Sequence, residues 1–213
     1  MPVFIPKNII TIGGNIGCGK SILMDSLKKH VKTINHFNVE YFPEPIEKWG
    51  HWIDSFYMNP TKYGFHFQMK ILAEFLYFDM NKHIFTMNVT ERSPLESLEV
   101  FSRLLVHFKN LAHTEHNLFC EYFNLVGWKP QTFIYLKTDP SVCHDRIKQR
   151  QRECESGITL EYIQNIHEMY EQFLFKYKDI MNIHVIDANQ SEDKVFNTVQ
   201  EILKNINNIH EFK

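Results

Sequence analysis

Eight consecutive residues, Gly14-Asn15-Ile16-Gly17-Cys18-Gly19-Lys20-Ser21, constrain this chain more than any others. They fit G-x-x-x-x-G-K-[ST], follow the β-branched run Ile9–Ile12 and precede an apolar-periodic stretch that starts a helix near Ser21. Glycines let the backbone turn so that successive amides converge on one point. The helix start adds a positive end, Lys20 reaches toward β and γ phosphates, and the Ser21 hydroxyl suits Mg²⁺. An ordinary glycine-rich turn has no need of that lysine and serine. The expectation is a strand–loop–helix unit that binds ATP, with Gly14 through Ser21 as its contacts.

The rest of the chain repeats the alternation. Asn38–Phe42, Ile84–Thr90, Thr132–Leu136 and His184–Ile186 read as further buried strands. Between them, apolar residues recur every three or four positions, as in Leu160, Ile163, Ile166, Tyr170, Phe173, Leu174 and Tyr177, and again in Val195, Val199, Ile202, Leu203 and Ile206. Asn59-Pro60 and Asp139-Pro140 place a capping side chain before a proline at a helix start, and Ser93-Pro94-Leu95-Glu96 adds a capping box. Strand alternating with helix implies an α/β fold, a parallel sheet covered on both faces, with ligands beyond the carboxyl ends of the strands. No repeat, low-complexity tract or linker interrupts residues 1–213, so one domain is expected.

Composition narrows the partners. With 44% hydrophobic and 23% charged residues, the chain can bury a core and is not disordered. A formal charge of −2 provides no pull toward nucleic acid or an anionic membrane, and no apolar run is long enough to span a bilayer. The N-terminus has no secretory layout, and the four cysteines have no framework spacing; a reducing, cytoplasmic setting is expected. His113 and His116 lack a third ligand at suitable spacing, so no histidine metal site is expected.

Phosphate loops serve GTPases, motors, helicases and kinases. Here no NKxD motif exists, since Asn81-Lys82-His83-Ile84 has isoleucine at its end, and no apolar run ends in a Walker B aspartate. The third strand instead ends Thr90-Glu91-Arg92-Ser93, a small-molecule kinase layout. Prolines on both sides restrict the backbone around Glu44, which makes it a candidate general base for a hydroxyl acceptor; a solvated loop acid is the competing reading. Glu91 can hold Mg²⁺ through water while Arg92 neutralises a transferring phosphoryl group, or the two form a plain salt bridge. Arg146, Lys148, Arg150 and Arg152 precede the breaker Glu155-Ser156-Gly157. That is either a solvated helix or a lid over about 146–158 that closes on phosphates.

Taken in order, Gly14–Ser21, Glu44-Pro45-Ile46-Glu47-Lys48-Trp49, Phe67-Gln68, Glu91-Arg92-Ser93 and Arg146 through Tyr162 resemble the deoxynucleoside kinase family. The resemblance implies a five-stranded parallel sheet, a helix-built homodimer and phosphoryl transfer from ATP with Mg²⁺ to a deoxynucleoside 5′-hydroxyl. By motif position, Lys20, Glu44 and Arg92 match the catalytic group, and Ser21 and Glu91 the metal side. Gln68 matches the amide that pairs with the base, Phe101 the aromatic that stacks on it, and Trp49 the tryptophan closing the sugar pocket. Tyr57 and Glu155 match the pair on the 3′-hydroxyl. Arg146 matches the residue over the donor adenine, and Arg150 and Arg152 the phosphate-gripping lid arginines.

Departures carry information. Gly13 stands where the family usually has an acid, Cys154-Glu155 where a Glu-Glu pair is common, and Ser102–Pro130 aligns only loosely. Members specific for cytosine or purines pair an arginine with an aspartate around the base; this chain has Phe75 and Ser97. That points to thymidine and deoxycytidine as acceptors. The rival readings are a nucleoside monophosphate kinase of the thymidylate kinase type and a nucleotide-binding regulatory module without turnover. Both make Glu44 superfluous.

Overall fold

The computed structural model describes residues 9–76 and 86–206. The expected strand that began at Ile84 therefore has its first two residues outside the described ones, as does Asn81–Ile84.

The strands are β1 (Ile9–Gly14), β2 (Thr33–Ile34), β3 (Phe37–Phe42), β4 (Thr86–Glu91), β5 (Thr132–Lys137) and β6 (Asn182–Asp187). They lie in the order β2-β3-β4-β1-β5-β6. Five of them pair in parallel, as expected. The sixth, β2, is a two-residue antiparallel edge formed by a tight turn into β3, too short to leave a periodic signature in the sequence. β1 lies between β4 and β5, and every one of its residues is buried, so helices cover both its faces. Its threonine is satisfied internally, Thr11 Oγ1 lying 2.8 Å from Thr90 Oγ1.

Register brings the strand ends level. Ile12 pairs with Glu91, Gly14 with Leu136, and Phe42 with Thr90. The segments that follow these strands therefore emerge along one edge, where the chain passes from β1 to β3 on one side of β1 and from β4 to β5 on the other.

Helices α1 (Lys20–His30), α2 (Ile46–Trp49), α3 (His51–Met58), α4 (Pro60–Leu76), α5 (Pro94–Glu96), α6 (Arg103–His107), α7 (His113–Val126), α8 (Pro140–Arg150), α9 (Leu160–Tyr177) and α10 (Glu192–Asn205) complete the fold. α5 and α6 are joined through a π-helical turn, Ser97–Ser102, so Pro94–His107 is one continuous helical run. α9 starts where Thr159 Oγ1 accepts from the Tyr162 amide at 3.1 Å, and it buries Ile163, Ile166, Tyr170, Phe173 and Tyr177. Asn59 caps α4 through the Lys62 amide at 3.1 Å. Two expected caps are not made. The Asp139 side chain forms no cap bond, and Ser93 Oγ donates to Glu96 instead of accepting a backbone amide. A smaller apolar cluster of Trp49, Ile53, Phe56, Phe67, Leu105 and Leu111 sits apart from the main core, under α2, α3 and α4.

Candidate active site

The phosphate loop folds where β1 ends. Gly17 and Gly19 adopt φ of 79° and 101°, a region that side chains disfavour, and a Cβ on Gly17 would collide with the Cys143 carbonyl oxygen. Lys20 is only 5% exposed and folds back, donating to the carbonyls of Asn15 (2.8 Å) and Gly14 (3.2 Å). Both bonds are charge-assisted through the ammonium alone; an anionic acceptor would add a second charge to them. The side chain of Asn15 serves structure: its amide donates to the Ile163 carbonyl at 2.8 Å and so ties the loop to α9. Cys18 is buried, and Ile16 borders the pocket that also holds Glu44 and Gln68. Arg146 reaches from α8 to the Cys18 carbonyl (3.4 Å) and the Ala188 carbonyl. A cleft of about 540 Å³ runs past Gly19, Ser21, Arg146 and Phe196.

Four charged groups crowd the ends of β3 and β4. Arg92 Nε donates to Glu44 Oε1 at 2.6 Å, and both side chains are nearly buried. Arg92 itself holds φ of 64°, unusual for a residue with a Cβ and characteristic of a conformation enforced by its surroundings. Glu91 accepts from Ser21 Oγ at 2.8 Å and from the Glu44 amide at 3.3 Å. Burial raises the Glu44 carboxyl above the ordinary carboxylate range; Arg92 and Lys20 oppose that shift and Glu91 adds to it. Burial disfavours the Arg92 cation too, but Glu44, Tyr170 and Glu96 outweigh it and keep the guanidinium charged. The plain salt bridge between Glu91 and Arg92 is not formed: the ion pair joins Arg92 to Glu44, and Glu91 faces Ser21.

From this cluster a narrow pocket extends under α2, α3 and α4. Trp49, Tyr57, Phe67, Gln68, Ser97, Phe101 and Glu155 all border it, together with Glu44, Glu91 and Arg92. Gln68 is 3% exposed, and among the described residues its amide oxygen has no hydrogen-bond partner, nor has the buried Trp49 Nε1. Buried polar atoms left unpaired cost roughly 1–3 kcal/mol each, and both of these belong to residues that border the pocket. One face of Phe101 lies under the Arg92 guanidinium, 4.6 Å from its centroid. Phe75 is not among the bordering residues. Its ring stands edge-on to Trp128 at 5.8 Å, and Ile71, one turn earlier on α4, faces the pocket in its place.

The segment expected to form a lid is folded onto its own acid. Glu155, 6% exposed, accepts from Arg150 Nε (2.6 Å) and Nη2 (2.5 Å), with Arg152 at 3.5 Å. Arg150 and Arg152 border both the cleft and the pocket. Burial raises the Tyr57 hydroxyl pKa, with Tyr162 and Glu155 adding to it, so Tyr57 stays a neutral donor beside that carboxylate.

Several bordering residues were not singled out from sequence: Ile46, Ile53, Phe56, Leu105 and Tyr162. The apolar ones have the same spacing as core residues, and nothing local separates a pocket wall from a core. Glu96 read as a helix cap and Tyr170 as a core position, yet both contact Arg92.

Strand order, phosphate loop and the acids along the strand edge define a P-loop phosphotransferase. A sequence model described as deoxynucleoside kinase matches residues 10–211, and the chain belongs to that family. It is 34% identical over 190 residues to a deoxyadenosine kinase of Dictyostelium discoideum, covering 86% of this chain and 72% of that one. It is 32% identical over 200 residues to the 029R protein of Invertebrate iridescent virus 3, covering 93% and 97%. The thymidine kinase of Ictalurid herpesvirus 1 is 28% identical over 215 residues, covering 94% and 88%. Among solved structures, a deoxyadenosine kinase of M. mycoides with bound dCTP superposes with a TM-score of 0.80 at 24% identity, over 93% of this chain and all of that one, a likeness of fold. The protein is thus a kinase enzyme with a nucleotide-binding site. Among the described residues, no helix is long and apolar enough to cross a membrane.

Proposed function

We propose that this kinase transfers the γ-phosphoryl group of ATP to the 5′-hydroxyl of a deoxynucleoside, with thymidine and deoxycytidine as the preferred acceptors. One observation carries the reading: one pocket is bordered by Lys20, Glu44 and Arg92 and also by the nearly buried Gln68, whose amide oxygen is unpaired among the described residues. A base held there points its sugar back toward Glu44. Glu44 accepts the 5′-hydroxyl proton, and Arg92 stabilises charge as the phosphoryl group passes. Tyr57 and Glu155 hold the 3′-hydroxyl, and Trp49 leaves little room for a 2′-hydroxyl. Ser97 supplies one hydroxyl, and the remaining walls by Gln68, Ile71 and Leu105, are apolar. A purine would leave polar edges unpaired, at about 1–3 kcal/mol each.

Mg²⁺ suits the oxygens present. The Ser21 hydroxyl and Glu91 carboxylate meet at 2.8 Å beside the loop, a hard donor set of the kind that leaves remaining positions to phosphate and water. Bound there, the cation would neutralise charge between β and γ phosphates. Arg146 covers the donor base, and Arg150 and Arg152 turn from Glu155 to the donor phosphates. A homodimer would cover Leu118, Tyr122 and Leu125, which are exposed at spacings of three and four along α7.

An assay of the four deoxynucleosides, uridine and thymidine monophosphate with Mg-ATP tests the whole reading. Purines are expected at least ~10-fold below thymidine or deoxycytidine in kcat/KM. A purine at the top of the ranking overturns the base assignment, transfer only to the monophosphate favours the thymidylate kinase type, and no turnover at all would leave a binding module.

A further inference from the structure

Glu96 is a carboxylate with no exposure at all, on a run whose sequence marks it as a capping acid. It does not cap. Its Oε2 accepts from Ser93 Oγ at 3.2 Å, its Oε1 accepts from the Tyr170 hydroxyl at 2.7 Å, and Oε1 lies 4.0 Å from Arg92 Nη1. Arg92 Nη1 in turn donates to the Tyr170 oxygen at 2.9 Å and to the Gly14 carbonyl at 3.3 Å. With Nε on Glu44 and one face on Phe101, only Nη2 of the guanidinium has no partner among the described residues.

We infer that Glu96, acting through the Tyr170 hydroxyl, is a positioning residue that sets Arg92 so that Nη2 is the donor turned to the acceptor side. The direction of the chain of bonds carries this. Burial raises the Glu96 carboxyl, and Arg92, the Tyr170 hydroxyl and Lys20 oppose that shift. As the carboxylate they favour, Glu96 only accepts, so Tyr170 donates toward it and leaves the phenolic lone pair for Arg92. A glutamine at 96 has an amide that can donate to the same phenol and compete with the arginine. Room for the carboxylate comes from Gly13, where an added Cβ would stand 2.6 Å from Glu96 Oε1. The π-helical turn begins at the next residue, Ser97, a distortion often found where a helix serves a site.

The inference rests on the kinase reading for its activity test and on geometry alone for a second one. Glu96→Gln should lower kcat between about 10-fold and about 100-fold, the scale of a misplaced reacting geometry, and Tyr170→Phe should act in the same direction. Nucleoside KM should stay within about 2-fold. In an Arg92→Lys background, adding Glu96→Gln should lower kcat less than ~2-fold further, because its effect passes through Arg92. Independently of turnover, the Arg92 Nε–H resonance in ¹⁵N–¹H spectra, assigned by its loss in Arg92→Lys, should be sharp in the native protein and broadened in Glu96→Gln. A merely structural Glu96 would instead lower the melting temperature and leave kcat of the folded fraction unchanged. That result overturns the inference, as does an unaltered resonance in both variants or an undiminished effect in the Arg92→Lys background. A native protein without nucleoside phosphorylation would strike the kinase reading, while the resonance would still decide the seat of Arg92.

Discussion

The proposed donor side and the proposed acceptor side of the site are built in opposite ways. On the donor side, one unbroken segment, Gly14–Ser21, carries the loop amides, the lysine and the hydroxyl, and its backbone is held by short-range bonds such as those of Lys20 to Gly14 and Asn15. On the acceptor side, α2, α3, α4, the π-helical turn, the segment from Arg150 to Glu155 and α9 each contribute one to three side chains. Phosphate recognition asks for many backbone donors at one point, which contiguous residues supply. A base and a sugar present different chemistry at each edge, and separate elements must converge to meet it. Arg150 and Arg152 belong to both sides, so Glu155 is the hinge of the comparison.

The largest effect should come from Glu44→Gln, with kcat falling by roughly 10²–10⁴-fold and both substrates still binding. Steady-state kinetics check this, and a variant that keeps more than about half of the native kcat removes Glu44 from the role of base. On the donor side, Gly17→Ala should cost about 1–3 kcal/mol, because it combines a positive φ with a collision against the Cys143 carbonyl. Thermal melts with and without Mg-ATP should show lower stability and a smaller ligand-induced shift; a native melt would mean that the loop has more room than its backbone suggests.

Glu155→Gln tests whether the two sides communicate. Nucleoside kcat/KM should fall about 10-fold through the 3′-hydroxyl, and donor KM should change as well, since Arg150 loses its carboxylate partner. A change confined to the nucleoside would separate the sides completely. The smallest effect on specificity should follow Phe75→Leu. Its ring packs on Trp128 and not on the pocket, so the melting temperature should drop while the ranking of bases shifts by less than ~2-fold. A reversed ranking would restore Phe75 to the base pocket.

Where local chemistry dictates conformation, sequence sufficed. β-branched runs gave the five parallel strands, Asn59 with Pro60 marked a helix start, and the loop motif located the turn between β1 and α1. The resemblance added positions in the pocket wall that spacing alone could not distinguish from core. Three matters were decided only by tertiary packing. Phe75 and Ile71 lie one helical turn apart on α4, and which of them faces the pocket depends on how α4 rotates against Trp128 and the small apolar cluster. Glu96 has a sequence context that fits a cap, but a carboxylate beside a buried guanidinium gains more from that charge than from a backbone amide. Arg92 pairs with Glu44, 48 residues earlier in the chain, not with its neighbour Glu91, because strand register sets β3 beside β4 and a positive φ turns the arginine away from its own strand. Propensity and motif act over a few residues, whereas the partner of a buried charge is whatever the fold brings within reach.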